Sequence, residues 1–139
     1  MVVLCNLATT WGVLLGRVSL AAIFLQSGID KVFNYEATLK AMASRGVPLP
    51  DLLLAPAIVL LLAGGLMLVL GWKARWGALA LIVFTIPATL YFHNFWVAPQ
   101  AQYLNQFHHF FKNLAILGGL LVVLGVGSGP LSLDKDAQR

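Results

Sequence analysis

Charge is what this sequence has least of. Asp, Glu, Lys and Arg together make up 10% of its 139 residues, while 60% are hydrophobic. A soluble domain carries roughly 25% charged residues, and a water-soluble globule of this length could not hide so much apolar surface. The bilayer is therefore the natural solvent of the chain. Cysteine is nearly missing as well. Cys5 stands alone, which excludes an internal disulfide and CxxC dithiol chemistry within the chain. Cys5 also comes too early, with no basic stretch before it, for a lipoprotein signal. A start without positive charge, whose first apolar run carries Arg17, does not read as a cleaved signal peptide. No basic stripe interleaved with aromatics exists, so no nucleic-acid partner is expected; the net charge of +4 fits basic residues at membrane edges. Strict apolar–polar alternation is absent, which argues against a barrel. With no thiolate pair, and with His108 and His109 pointing to different faces, no metal site of the zinc type is expected. Nothing resembles a nucleophilic triad or a phosphate loop.

What the chain does have is four long apolar runs, at about 11–32, 52–71, 76–97 and 107–127. Each approaches the roughly 20 residues a spanning helix needs. The fourth reaches that length only if FHHFFKN (107–113) continues the helix as an interfacial end. The expected fold class is an all-α membrane protein: an up-and-down bundle of four transmembrane helices in a single domain over 1–139. Between the first two runs, 34–45 reads as a short amphipathic interfacial helix. Asn34 suits its N-cap, Glu36 its first turn and Gly46 its stop, and Tyr35, Leu39 and Met42 fall on one face. The tail at 129–139 reads as polar and loose. GGLMLVLG (64–71) and GGLLVVLG (118–125) hint at a repeat of helix pairs. Gly12 and Gly16 form a GxxxG, expected to pack inside the bundle. One membrane side holds Lys73, Arg75, Lys135 and Arg139, and the other Lys31, Lys40, Arg45 and Lys112. The short basic loop with Lys73 and Arg75 favours cytoplasmic termini.

Ionisable groups inside spans need a reason. Arg17 lies one or two turns into the first helix, where it either snorkels toward the nearer headgroups, enters a buried ion pair or meets an anionic ligand. Lys31 shares its face but lies about 21 Å away along the axis, so the two belong to opposite membrane halves. An up-and-down path brings the end of helix one, the end of helix three and the start of helix four to one side. Those ends carry Gln26, Ser27, Asp30 and Lys31; His93, Asn94 and Trp96; and Asn105, His108, His109, Lys112 and Asn113, which puts all three histidines on one side. This convergence reads either as a polar collar at headgroup depth or as a ligand pocket. His108 and Lys112 are four apart and share a face, which His93 could meet. Amide, aromatic, neutral imidazole and ammonium groups together suit a quinone head, and His93 or His108 could titrate near neutral pH as proton-relay candidates. Haem ligation is disfavoured because both histidines lie near span ends.

The order of FLQSGIDKVFN (24–34), RGVPLP (45–50), the GG-bearing second span with its basic turn, FHNFW (92–96), FFKNLAILGGLL (110–121) and GSGPLSLD (127–134) resembles the DoxX family of small bacterial membrane proteins. The resemblance covers nearly the whole chain. It implies a four-helix bundle in the bacterial cytoplasmic (inner) membrane, with weight on Arg17, Ser27, Gly28, Lys31, His93, Trp96, Lys112, Asn113 and Asp134. Members are often linked to redox work, one type being a subunit of thiosulfate:quinone oxidoreductase. Distant relatives serve as cargo receptors or assembly factors, so the fold does not fix the activity. HHFF before Lys112 departs from the family pattern. Three expectations follow. The first is a membrane redox protein or oxidoreductase subunit with a quinone-like ligand at the polar end. The second is a scaffold that docks a protein partner or a second copy. The third and weakest is a small transporter, since Arg17 alone lies clearly inside a span.

Overall fold

The computed structural model describes residues 8–134; Cys5, Lys135 and Arg139 lie outside them. After a π-helical lead at Ala8–Gly12, the chain forms α1 (Val13–Phe33), α2 (Tyr35–Ser44), α3 (Pro50–Leu70), α4 (Ala74–Phe92) and α5 (Gln100–Val126), with a short 3₁₀ turn at Phe95–Val97 before α5. Among the described residues there is no strand. Four helices among the described residues are long and apolar enough to cross a membrane. Hydrocarbon offers the backbone no partner, so the helix must satisfy its own amides and carbonyls. The fourth helix begins at Gln100, seven residues before the expected 107, because Pro99 fits helix entry and nothing in AQYLNQ breaks a helix.

The bundle has two apolar centres. In one, Ala21 and Phe24 of α1 meet Leu61 and Leu68 of α3, Ala78 and Leu81 of α4, and Leu120 and Val123 of α5. In the other, Met42 of α2 packs with Leu54 and Ile58 of α3, backed by Tyr35 and Leu39. The amphipathic face of α2 thus folds onto the bundle. Asn34 does not cap α2 with its side chain; it donates to Asp30 Oδ1 at 2.8 Å. Glycine lets α3 and α4 approach closely. A Cβ on Gly77 of α4 would lie 3.0 Å from the Gly64 carbonyl oxygen, and one on Gly64 of α3 would lie 3.1 Å from the Gly77 carbonyl oxygen. These backbones touch because neither carries a side chain. The two GG pairs are not equivalent: Gly64 and Gly65 are buried, whereas a Cβ on Gly118 would meet nothing.

The tail is where structure and expectation part. Residues 129–134 are not loose. They fold back over the α3–α4 turn, with Leu133 N–H donating to Leu70 O at 3.1 Å and Asp134 N–H to Gly71 O at 2.9 Å. Lys73 holds a left-handed φ of 48° at the start of α4 and supplies no cap of its own. Asp134 supplies the cap across the chain: its carboxylate accepts from Lys73 N–H at 2.7 Å and Ala74 N–H at 3.2 Å. Arg17, 1% exposed, does not snorkel. Its Nη1 donates to Ser128 O and its Nη2 to Leu131 O at 2.7 Å. It is a buried cation held by the carbonyls of the returning tail.

Burial pushes the Asp134 carboxyl up, but the Lys73 and Ala74 amides, the Ser128 hydroxyl and the Arg17 charge outweigh it and hold the group below the usual aspartate value. A depressed folded pKa means the stabilisation is complete above the unfolded value, about pH 4, and is lost as pH falls through the folded one. Asp134→Ala is expected to cost about 1 kcal/mol at neutral pH, the scale of a lost N-cap, and to flatten the acid limb of stability, read by thermal unfolding in detergent. Gly77→Val should cost about 1–3 kcal/mol through overpacking, whereas Gly118→Ala should stay within about 0.5 kcal/mol.

Candidate functional site

A cavity of about 900 Å³ opens between α1, α2, α3 and α4, with Asn113 and Ile116 of α5 at its back. Most of its wall is apolar, including Phe24, Leu54, Leu60, Phe84 and Phe92. Apart from Thr38 of α2, Thr85 and Tyr91 of α4 and Asn113 of α5, its polar groups lie toward the end where α1 and α4 finish: Ser27, Asp30, Lys31 and Asn34 from α1 and its cap, and His93 from the cap of α4. An apolar hollow with a few convergent polar groups is the usual form of a small-molecule site. Pro56 and Pro87 both stand in the wall. A proline inside a helix has no amide to give, so the carbonyls four residues earlier, Leu52 and Val83, lose their helical partner.

The local chemistry follows from helical spacing. Ser27 and Lys31 are four apart, and Lys31 Nζ donates to Ser27 Oγ at 2.8 Å. An ammonium carries three donors, so this bond leaves donor capacity for a ligand. Across the cavity, Asn113 Nδ2 donates to Thr89 Oγ at 2.9 Å, Thr89 to Thr85 O at 2.7 Å, and Thr85 to Leu81 O at 2.6 Å. Thr85 and Thr89 are buried and keep their hydroxyls satisfied in this way. His93 Nδ1 lies 3.0 Å from Oε1 of buried Gln106. Its ring stacks on His109, centroids 4.9 Å apart and planes 13° from parallel.

The structure therefore brings together Ser27, Asp30, Lys31, His93 and Asn113 of the residues singled out from sequence. Gln26 is exposed and does not line the cavity. His108 and Lys112 are exposed, and His108 sets its edge against Phe107, 5.9 Å away. The face expected to meet His93 was the one through His108 and Lys112; the face that does so runs one residue on, through Gln106, His109 and Asn113. Asn94 starts the 3₁₀ turn. Trp96 joins an aromatic cap centred on Phe95, which meets Trp96, Tyr103, Phe107 and Phe110 edge-on at 5.3–5.8 Å. Gln106, Thr85 and Thr89 were not picked out from sequence, and His109, counted among the polar groups of that end, was not the histidine expected to meet His93. A helix begun at Gln100 would have put positions 106, 109 and 113 on one stripe. Arg17 has no part in this cavity and sits in the opposite half, as its position in α1 requires.

These features define a multi-pass α-helical membrane protein with a polar-mouthed cavity inside its bundle. The DoxX family matches residues 12–94. The inner membrane protein YphA of Escherichia coli K12 is 30% identical over 122 residues, covering 88% of this chain and 87% of YphA. YqjF, another inner membrane protein of that organism, is 34% identical over 125 residues, covering 89% and 90%. The Surfeit locus protein 4 homolog of Drosophila melanogaster is 32% identical over 75 residues, 52% of this chain and 28% of that one. No solved structure matches. The chain belongs to the DoxX family and is a multi-pass protein of the inner membrane.

Gln106→Leu takes the partner from His93 Nδ1 and should cost about 0.5–2 kcal/mol, the range for a polar contact among membrane helices. Lys112→Ala should stay within about 0.5 kcal/mol. Parallel thermal melts in one detergent would separate them.

Proposed function

We propose that the chain binds a quinone-class redox carrier from the bilayer and serves as a membrane component of an oxidoreductase. The observation that carries this reading is the convergence of Lys31, His93 and Asn113 on one apolar-walled cavity at membrane depth. A quinone ring carries two carbonyl acceptors and an apolar body. Lys31 would donate to one carbonyl and stabilise an oxyanion formed on reduction, since an ammonium gains most where charge develops in a dry site. His93, whose Nδ1 is held by Gln106 and whose other ring nitrogen can give or take a proton, would exchange the proton. The apolar wall would take the ring and the start of the isoprenoid tail. The chain has one cysteine and no CxxC pair, so the electrons would pass to or from a partner subunit. With the short basic turn of Lys73 and Arg75 on the cytoplasmic side, as the excess of basic residues in cytoplasmic loops favours, the cavity mouth would open in the outer half of the membrane.

A scaffold role is the second reading. Beside the aromatic cap, Trp96 is 54%, Val97 67% and Leu104 67% exposed, an apolar rim that another membrane subunit could cover.

Purified protein in detergent should bind a short-chain quinone with an affinity that falls about tenfold or more in Lys31→Ala and in His93→Ala, since losing a hydrogen bond to a charged group is worth about 1.5–3 kcal/mol. Lys112→Ala, outside the cavity, should bind as the parent does. Binding that is equal in all four proteins would sink the redox reading, and a stoichiometric co-purifying subunit with no quinone would favour the scaffold.

A further inference from the structure

The seam between α1 and α5 stays open at the end opposite the main cavity. A cleft of about 360 Å³ runs along it, walled by Gly12, Gly16 and Gly119 and by apolar side chains such as Val122 and Val126. The GxxxG glycines are not packed inside the bundle as expected: a Cβ on Gly12 or Gly16 would meet nothing within 4 Å. The cleft exists because its walls lack side chains. In hydrocarbon such a groove is filled by something, since an empty one forfeits the dispersion contacts of its lining.

Two groups say what fills it. Arg17 lines the cleft and is 1% exposed. Its two terminal nitrogens are used by the tail, but its Nε is buried and has no acceptor among the described residues. Arg75 stands at the rim, exposed: its Nη2 donates to Gly125 O at 3.3 Å, and a Cβ on the cleft residue Gly127 would lie 3.4 Å from its Nε. Trp72 and Trp76, 49% and 67% exposed, mark the headgroup level at this end. Lys73 adds a third cation, over the Trp72 ring at 5.3 Å. The carboxylate of Asp134, the one acid at this end among the described residues, is occupied by the amides of Lys73 and Ala74.

We propose that the α1–α5 cleft binds one anionic phospholipid. An acyl chain lies between the glycine walls, an ester carbonyl accepts from Arg17 Nε, and the phosphate meets Arg75 at the rim. Arg17 bonds the carbonyls of Ser128 and Leu131, both beyond the end of α5 at Val126, at the end that also carries exposed Trp72 and Trp76. That is the level at which lipid esters lie. A helix from a second copy would fill the groove but would bring its backbone acceptors already used, leaving Nε dry. A free phosphate would suit Arg75 and leave the apolar walls empty.

Native mass spectrometry of the detergent-purified chain tests this with phosphatidylglycerol, phosphatidylcholine of the same acyl chains, and inorganic phosphate. One phosphatidylglycerol per chain is expected, with phosphatidylcholine held about tenfold more weakly. Gly16→Leu, and independently Gly12→Leu, should abolish retention of both lipids while helicity and the thermal midpoint in detergent without added lipid hold, because open space receives each side chain. Arg75→Gln should bring phosphatidylglycerol down to the phosphatidylcholine level. Equal retention of the two lipids by the parent would overturn the proposal, as would undiminished lipid retention in both cleft-filled variants. It would also fail if inorganic phosphate displaced the lipid, or if filling the cleft split a dimer without changing lipid binding.

Discussion

A guanidinium that stays charged in proteins cannot rest in hydrocarbon without acceptors, and the arrangement of one whole end of this bundle follows from that. Arg17 lies inside the first span and is fully enclosed. Its acceptors are the carbonyls of Ser128 and Leu131, more than a hundred residues later in the chain. To present them, the tail must turn back at Gly127 and Gly129, both at positive φ. The same return lets Asp134 cap α4 and pair with the backbone of the α3–α4 turn. The first helix, the hairpin between the second and third spans, and the C-terminal tail are thereby closed around one cation. Gly71 belongs to this knot, since any side chain there would collide with Arg17 and Ser132.

The opposite end is built differently. There the polar groups are not spent on joining segments but line a hollow. Lys31 is held by its own helix through Ser27, and His93 by Gln106 from a neighbouring helix. The second apolar centre, where α2 lies against α3, shapes one side of the same hollow through Met42 and Leu54. An aromatic cap around Phe95 fixes the turn into α5 and with it the position of His93 beside His109. One end of the bundle is thus tied together around a buried cation, with the α1–α5 seam left open beside it, and the other holds the main cavity. Family membership by itself does not fix the activity.

The number of spans, the helical class and the interfacial helix were legible from apolar run lengths and spacing, because the bilayer imposes a length and a hydrogen-bond rule that composition alone can meet. Ser27 with Lys31 was legible for a similar reason: four residues on a helix always share a face. The partner of His93 was not. A start at 107 rather than at Gln100 left Gln106 outside the helix, and between adjacent histidines spacing cannot say which one turns inward. His108 and Lys112 were as regular a pair as His109 and Asn113, and only the rotation of α5 against α4 separated them.

Sequence by itself thus determined the class of the molecule, the order of its helices and the separation of Arg17 from Lys31, since each depends on distance along a single chain. Tertiary structure decided what those charges do. It turned a polar tail into the acceptor of a buried cation, opened a GxxxG that was expected to pack, and chose one stripe of α5 over its neighbour. Each of these depends on contacts between residues far apart in sequence, whose energies arise only once the helices have docked.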